Sequence, residues 1–247
     1  MFYGKDGLVE LKNKIINDDV HKTLLNIPDD SVDLIITSPP YNLGNDHHTG
    51  NKRHMAYSDN LPENIYQEQQ IDVLNECYRI LRHDGSMFYN HKNRIRKGEQ
   101  ITPYQWLLKT QFIIKQELVW FNRSQNFDKI RFYPMTERIY WLTKSPKTKL
   151  FNAINHHDVF DTKDWPTVGT KGKHTRAFPV EMPRDIIKCF SDAELIFDPY
   201  MGSGTVAVAA LMEGRNYFGI EINPEFIDIA NNRINQYLTE IDRHTIQ

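Results

Sequence analysis

Leu195-Ile-Phe-Asp-Pro-Tyr-Met-Gly-Ser-Gly-Thr205 is the stretch that decides the fold. It begins as a short apolar strand, passes through a glycine-rich turn and leads into a predicted helix from Val206 to Glu213. A strand, a glycine turn and a helix N-terminus form the nucleotide-binding unit of doubly wound folds, because glycines let the backbone approach a ligand and the helix amides favour polar or negative groups. The next predicted strand, Tyr217 to Ile220, ends in Glu221, where such folds place a carboxylate on ribose hydroxyls.

A second short strand, Val32 to Ile36, stops at Thr37-Ser-Pro-Pro-Tyr41. Each proline lacks a backbone N–H and has a fixed φ, so the carbonyls of this motif point in set directions. A hydroxyl, rigid carbonyl acceptors and an aromatic ring suit a planar group bearing an amine, whose hydrogens the acceptors take while the ring stacks on its face. Taken alone, the motif also fits a proline pair that only ends a strand, with Tyr41 packing.

Length and composition predict one α/β domain over residues 1–247. Because the net charge is −2, any contact with nucleic acid has to depend on local positive charge. The sequence has no run of 18 apolar residues and no secretory signal, which predicts no membrane span and a cytoplasmic location. Cys77 and Cys189 are expected to be buried thiols, and the histidines at 47, 48 and 54 lack the spacing of metal ligands, so no metal is predicted.

Four parts of the chain contain the basic residues that are candidates for nucleic-acid contact. Residues 42–62 form a long polar loop, residues 91–97 carry four basic residues and no acid, and residues 122–133 interleave basic with aromatic side chains. Residues 144–176 hold seven Lys or Arg against three Asp, which favours phosphate contacts, although solvated turns explain some of these patterns nearly as well. The predicted nucleic-acid contacts are Lys52, Arg53, Lys92, Arg94, Arg123, Arg131, Lys171 and Lys173.

The glycine turn also fits the class of enzymes that bind a nicotinamide dinucleotide. Gly202-Ser-Gly-Thr-Val-Ala207 satisfies the loose G-x-G-x-x-A pattern of nicotinamide dinucleotide enzymes. Against that class, an acid and a proline precede the turn, the turn lies near the C-terminus, and the Ser-Pro-Pro-Tyr motif has no role in a dehydrogenase.

Together the two motifs resemble those of the amino-group DNA methyltransferases of restriction–modification systems and phages. Thr37-Ser-Pro-Pro-Tyr41 resembles the catalytic motif of that family, and Phe197 to Thr205 resembles its cofactor motif. The catalytic motif comes first, as in the circularly permuted β-type branch. His174 to Pro179 and Gly219 to Ile222 are similar to further motifs of the family. The resemblance implies a doubly wound, mostly parallel, seven-stranded Rossmann-like sheet with short inserted DNA-recognition loops.

The resemblance also implies S-adenosylmethionine as cofactor and the exocyclic amine of a base flipped out of double-stranded DNA as acceptor. Serine in the catalytic motif favours cytosine N4, and adenine N6 stays open. The implied catalytic residues are Ser38, Pro39, Pro40 and Tyr41. The implied cofactor-binding residues are Asp19, Thr37, His174, Phe178, Asp198, Tyr200, Gly202, Ser203, Gly204, Thr205, Glu221 and Asn223.

Several points stay open at this level. Asp19 could serve only as a helix N-cap, and Tyr200 stands where the family more often has phenylalanine. Residues 144–176 are a short candidate target-recognition region, so residues 42–62, expected to be a mobile loop near the active site, could share that work. A cognate restriction endonuclease and a bacterial, archaeal or phage-infected host are implied, whereas monomer and homodimer are both compatible. An RNA or protein amide methyltransferase, or a catalytically silent DNA-binding protein, are the remaining alternatives.

Overall fold

The computed structural model describes residues 11–44, 59–124, 129–152, 157–164 and 177–245. The strands in these residues are β1 Lys14–Asn17, β2 Val32–Thr37, β3 Leu81–His91, β4 Arg94–Arg96, β5 Glu99–Ile101, β6 Ile113–Phe121, β7 Thr136–Thr143, β8 Val159–Asp161, β9 Leu195–Asp198 and β10 Asn216–Glu221. The helices are α1 Val20–Thr23, α2 Glu63–Ile80, α3 Tyr104–Leu107, α4 Glu181–Lys188, α5 Thr205–Met212 and α6 Pro224–Thr245. Two 3-10 turns, Leu24–Asn26 and Thr162–Asp164, complete the regular structure of the described residues.

The main sheet has the strand order β1-β10-β9-β2-β3-β7-β6-β8, and β4 pairs with β5 in a separate hairpin. The first five of these strands are parallel, β7 is antiparallel to both β3 and β6, and β8 runs parallel to β6. The doubly wound, mostly parallel class is confirmed. The sheet gains an eighth strand over the predicted seven, because the three residues of β8 extend the edge beyond β6.

Strand order reverses between β2 and β9. From β2 the chain moves outward to β3, and from β9 it moves outward the other way to β10. At such a switch point the flanking connections diverge, and a crevice opens outside the carboxyl ends of the strands. The order of the two motifs along the chain, with β2 before β9, is the permuted order that the sequence predicts.

The sheet separates two apolar layers. Side chains alternate along β2, so that Ile35 packs with α1, α2 and α3 while Leu34 and Ile36 pack with α4, α5 and α6. Large buried side chains such as Trp106 and Phe197 fill the first layer. Helices on both faces therefore leave the carboxyl edge of the sheet as the place for a site. None of the described helices has the length and apolar character to cross a bilayer.

Asp84-Gly85, a pair typical of turns, lies inside β3. The pairing of β2 with β3 jumps from Val32↔Leu81 to Leu34↔Ser86, so the turn is accommodated as a large bulge. A side chain at Gly85 would come within 2.8 Å of the Asp33 carbonyl oxygen, which explains the glycine there.

Candidate active site at the carboxyl edge of the sheet

The two predicted motifs meet at the switch point. Leu34 pairs with Ile196 and Ile35 with Phe197, so the ends of β2 and β9 lie side by side. There the hydroxyl of Thr37 donates to Asp198 Oδ1 at 2.7 Å, across 161 residues of sequence. Both residues are buried. The catalytic and cofactor motifs are therefore joined by one internal hydrogen bond.

Asp198 has an unusual ionisation. Burial raises the pKa of its carboxyl to about 7, and the nearby charge of Glu221 acts in the same direction. Hydrogen bonds from the Thr37 hydroxyl and from the Tyr200 amide, the latter at 3.0 Å, oppose that rise. Asp198 therefore gains or loses its proton near neutral pH, at the point where the two motifs touch.

The catalytic motif is held by a compact polar network. The Ser38 and Tyr41 hydroxyls are 2.7 Å apart, and the Tyr41 hydroxyl donates to Glu137 Oε2 at 3.0 Å. Asn90 Nδ2 donates to the Tyr41 oxygen at 2.7 Å and to Glu137 Oε2 at 3.1 Å, and it lies 3.4 Å from Ser38 Oγ. Burial and the Glu137 charge hold the pKa of Tyr41 well above its ordinary value, so the phenol keeps its hydrogen. Asn90 Oδ1 is buried and has no hydrogen-bond partner among the described residues.

Beneath the motif, Tyr66 supports the second proline. Its hydroxyl lies 2.8 Å from the Pro40 carbonyl oxygen and 2.6 Å from His91 Nε2. Burial, reinforced by the Arg94 charge, lowers the pKa of His91 to about 3, so the imidazole is neutral and packs against the Tyr41 ring at 4.5 Å between centroids. The Pro39 carbonyl has no hydrogen-bond donor within the described parts of the chain, so it remains an acceptor for a ligand.

The contacts of Arg94 contradict the prediction that this residue binds nucleic acid. Its guanidinium donates to both carboxylate oxygens of Glu63, at 2.7 and 2.8 Å, and lies 4.7 Å from the centroid of the Tyr66 ring. The side chain is 2% exposed. A buried guanidinium that is already paired cannot reach a phosphate, so the predicted nucleic-acid contact of Arg94 is wrong. Arg94 instead packs on Tyr66, whose hydroxyl donates to the Pro40 carbonyl, and so supports the catalytic motif indirectly.

The glycine turn is shaped by positive φ angles. Gly202 has φ +52° and Gly204 has φ +77°, and a side chain at Gly204 would come within 2.8 Å of Ala230 Cβ. Glu221 fixes the turn from the end of β10, because its carboxylate accepts the amides of Gly202 and Asn223 at 2.8 Å each. Burial raises the pKa of Glu221, and these amide bonds act against the rise. The Ile222 amide also contributes to this effect, and at least one lone pair of the carboxylate stays available to a ligand hydroxyl.

Other predicted cofactor residues have internal contacts in this structure. Arg233 of α6 donates to the hydroxyls of Ser203 and Thr205, at 2.9 and 3.1 Å, so these side chains pack the turn against α6. Asn223 Oδ1 accepts the Glu225 amide at the start of α6, and Asp19 Oδ1 accepts the His21 amide as N-cap of α1.

Phe178 lies in the apolar layer formed with α4 and α5. Tyr200 is partly buried against the opposite layer, and burial raises the pKa of its phenol. Cofactor contacts by these side chains stay predictions.

The other residues predicted to contact DNA differ in their exposure and in their internal contacts. Arg123 is half-exposed and makes two 2.7 Å hydrogen bonds to Asp161, and Lys92 is partly exposed at the end of β3. Arg131 is exposed in the β6–β7 loop. The predictions for Lys52, Arg53, Lys171, Lys173 and His174, and the histidines at 47, 48 and 54, lie outside the described residues.

The candidate recognition region, residues 144–176, is divided between two edges of the sheet. Because β7 is antiparallel to β3, its last residue, Thr143, lies at the amino edge, away from the catalytic motif. β8 then returns to the carboxyl edge, where Asp161 pairs with Phe121. The 3-10 turn Thr162–Asp164, which follows β8, therefore lies at the edge that carries the crevice.

The loop over residues 42–62 is closed at its base. Gly44 donates its amide to the Asp59 carbonyl at 2.7 Å, and Arg96 donates to the carbonyls of Asn42 and Leu61. Residues 45–58, which form most of the loop, are outside the described part of the structure.

Sequence reasoning missed Asn90 and Glu137. Asn90 is the second-last residue of β3, at the edge where Ser38 lies, so a polar side chain after an apolar run was a usable signal. Glu137 lies near the start of β7, and it reaches the site only because β7 runs antiparallel to its neighbours. Across the described residues, no group of three or more His, Cys, Asp or Glu is arranged to hold a metal ion.

Comparison with known proteins identifies the family. The family model for DNA methylases of the N6/N4 type matches residues 32–232. The type II methyltransferase M.HpaI of Haemophilus parainfluenzae is 28% identical over 256 residues, which cover 94% of this chain and 77% of that protein. The DNA adenine methyltransferase YhdJ of Escherichia coli (strain K12) is 27% identical over 253 residues, covering 89% of this chain and 82% of that protein.

The fold has a solved counterpart. The structure of PvuII DNA methyltransferase (cytosine-N4-specific) matches with a TM-score of 0.74 at 20% identity, over 93% of this chain and 92% of that one. At that identity the match shows a shared fold, whereas the family match spans both motifs of the site. The chain therefore belongs to the N6/N4 family of DNA methylases, and it is a DNA methyltransferase.

Proposed function

We propose that this DNA methyltransferase transfers a methyl group from S-adenosylmethionine to the exocyclic amine of a base flipped out of double-stranded DNA, with cytosine N4 as the favoured acceptor. The observation that carries the proposal is the Thr37–Asp198 hydrogen bond, which sets an amine-accepting motif beside a glycine-turn cofactor motif. A protein that only binds DNA has no use for both motifs in contact.

The residues around the glycine turn fit the cofactor. The carboxylates of Asp19, Asp198 and Glu221 all lie at the carboxyl edge of β1, β9 and β10, an acidic set suited to the sulfonium, amino and ribose groups of S-adenosylmethionine. Gly202 and Gly204 let the backbone approach the ligand. When bound, the cofactor supplies an activated methyl group, so the protein has only to prepare the acceptor amine.

The catalytic motif prepares that amine. An exocyclic amine shares its lone pair with the base ring, which makes it a weak nucleophile. Hydrogen bonds from its N–H groups to Ser38 Oγ and the Pro39 carbonyl favour a pyramidal nitrogen and stabilise the positive charge that develops on it. The Tyr41 ring, held by its hydroxyl bonds and by His91, stacks on the base.

The serine of the motif favours cytosine N4. Adenine N6 is the second candidate, supported by the similarity to the adenine methyltransferase YhdJ. Both bases present the same amine geometry to Ser38 and Pro39, so the two candidates share one mechanism.

DNA is expected to approach the carboxyl edge of the sheet. The β6–β7 loop leaves this edge beside Glu137 and exposes Arg131 together with the apolar side chains of Ile130 and Phe132, which are 90% and 103% exposed. Basic and aromatic groups together suit backbone and base contacts. A cognate restriction endonuclease, a cytoplasmic location in a bacterial, archaeal or phage-infected cell, and a monomeric or homodimeric state are further predictions from the family.

The test is product analysis. The protein is incubated with S-adenosylmethionine and mixed-sequence duplex DNA, and the DNA is digested to nucleosides for mass spectrometry. N4-methylcytosine is the expected product. N6-methyladenine would keep the mechanism and change the base, and intact cofactor binding with neither product would refute the choice of duplex DNA as substrate.

A further inference from the structure

Glu137 has no assigned part in the reaction, yet it lies at one end of the hydrogen-bond network that starts at Ser38. It is the second residue of β7, and its carboxylate accepts a hydrogen bond from the Tyr41 hydroxyl. The donors and acceptors of this network fix the direction of every bond in it.

A carboxylate only accepts hydrogen bonds, so the single hydrogen of the Tyr41 hydroxyl points to Glu137 Oε2, at 3.0 Å. Asn90 Nδ2 only donates, and its two hydrogens are directed at the Tyr41 oxygen and at Glu137, the two shorter of its contacts. The 2.7 Å contact between the Ser38 and Tyr41 hydroxyls can then be made only by the Ser38 hydrogen. The Ser38 hydrogen therefore points to Tyr41, and Ser38 Oγ presents only lone pairs to a ligand in the crevice.

We propose that Glu137 is a positioning residue for methyl transfer, which directs the chain Ser38 → Tyr41 → Glu137 so that Ser38 accepts from the amine and the proton released by the amine ends on the Glu137 carboxylate. The inference rests on the proposed function, because it assumes an exocyclic amine beside Ser38. Methylation leaves a nitrogen with one proton too many, and that proton needs an acceptor.

The proton transfers along these hydrogen bonds balance. The N–H bond of the methylated amine breaks and its proton passes to Ser38 Oγ, while the Ser38 proton passes to Tyr41 and the Tyr41 proton to Glu137. Ser38 and Tyr41 are neutral before and after, the nitrogen loses its positive charge, and the carboxylate becomes a neutral acid that later releases the proton to water. The two oxygen–oxygen separations from Ser38 through Tyr41 to Glu137 are 2.7 and 3.0 Å, within hydrogen-bond distance.

The surroundings of Glu137 suit this role. Asn122 donates to its other oxygen, Oε1, at 3.2 Å, so the carboxylate is held at both ends. The charged and titratable groups near it are Tyr41, the neutral His91 behind the Tyr41 ring, and Arg138, whose guanidinium is 3.3 Å from the Glu137 backbone oxygen and 3.0 Å from Glu117. The Arg138 cation is therefore shared with another carboxylate.

The experiment compares Glu137→Gln with wild type in single-turnover methyl transfer to duplex DNA. Gln keeps the size and an oxygen that accepts from Tyr41, but it cannot take a proton. The expected result is a rate roughly 10²-fold lower with unchanged binding of cofactor and DNA, since proton transfer by a positioned group contributes about 10²–10⁴-fold.

Two further variants sharpen the result. Tyr41→Phe breaks the chain, so adding Glu137→Gln to it causes no further loss if the two act in series. Glu117→Gln makes the same chemical change on the neighbouring strand β6 and leaves the rate unchanged.

A Glu137→Gln rate equal to wild type, additive losses in the double variant, or an equal loss of cofactor binding would overturn the proposal. Methylated nucleoside from the wild-type protein keeps the proposed function standing in each of those cases, whereas no product on DNA from the wild-type protein would overturn both.

Discussion

Thr37→Val tests the bond that joins the two motifs. Valine keeps the shape and the β-branch of threonine in a strand and replaces the hydroxyl by a methyl group, so the 2.7 Å hydrogen bond to Asp198 is lost in a buried place. A net hydrogen bond between neutral groups contributes about 1 kcal/mol to stability, and one to a charged group about 1.5–3 kcal/mol. The cost of the substitution therefore depends on whether Asp198 carries its charge.

The pH dependence follows from the raised pKa. The Asp198 carboxyl has an ordinary pKa of 3.8 and a folded-state pKa of about 7, so the folded protein binds this proton more tightly than the unfolded chain does. The contribution of the group to stability is therefore full below about pH 4 and is lost as pH rises toward 7. The Thr37 hydroxyl lowers this pKa, so the valine variant raises it further, and the variant loses more stability at high pH than at low pH.

The expected loss in the free energy of unfolding is about 1 kcal/mol at pH 5.5 and about 2 kcal/mol at pH 8.5. The difference of about 1 kcal/mol corresponds to a rise of roughly one unit in the pKa of Asp198. Urea unfolding at both pH values, followed by circular dichroism, measures the two losses.

Thr23→Val is the matched control. Thr23 is also buried and donates to a carboxylate, Asp18 Oδ2, at 3.0 Å, but Asp18 is exposed to solvent. The control should lose about 1 kcal/mol or less, equally at both pH values. Equal losses for Thr37→Val at pH 5.5 and 8.5 would refute the account of Asp198. A loss at pH 8.5 no larger than that of the control would also refute it.

Three further predictions separate the roles of the site and its supports. Ser38→Ala lowers the rate of methyl transfer at unchanged cofactor affinity, while Gly202→Val, which forces a branched residue into φ +52°, abolishes cofactor binding; equal loss of cofactor affinity by calorimetry in both would contradict this division. Arg94→Met costs about 2 kcal/mol in urea unfolding, because Glu63 loses its buried partner, and full stability of the variant would show that the pair does not form. Phe132→Ala weakens duplex binding by about tenfold in a gel-shift titration, in line with about 1–3 kcal/mol for a stacking aromatic, whereas Phe151→Ala has no effect.

Phe151 is a suitable control for Phe132 because of its position. It is 70% exposed, and its amide donates to the Cys189 carbonyl at the end of α4, on the amino side of the sheet. Equal losses of DNA affinity in both variants would show that exposed aromatic surface in general, and not the β6–β7 loop, binds DNA.

The strands that carry both motifs could be predicted from short-range pattern alone. An apolar run that stops at Pro39-Pro40, or that enters the glycine turn after Asp198, encodes its own end within a few residues. The glycines of the turn, Gly202 and Gly204, are encoded in the same local way, since glycine adopts a positive φ without the strain that a side chain causes. The roles proposed for these motifs came from the same local signals.

The basic residues were harder to interpret from sequence. Arg94 and Lys92 belong to one basic run, yet Arg94 is buried on Glu63 and Lys92 is partly exposed. A charge pattern contains no information about a partner 31 residues away, so burial of a paired arginine cannot be read from it. The same limit applies to residues 144–176, because the sequence does not show that β7 ends at the amino edge of the sheet and β8 at the carboxyl edge.

The sequence by itself determined the fold class and the order of the two motifs, because each depends on residues that are neighbours in the chain. Only the tertiary structure decided that Thr37 touches Asp198 and that Glu137 lies behind Tyr41. Those contacts depend on which strands pair and in which direction, and β7 brings Glu137 to the site only because it runs antiparallel to β3. Strand pairing is a property of the whole packed sheet, and no local pattern specifies it.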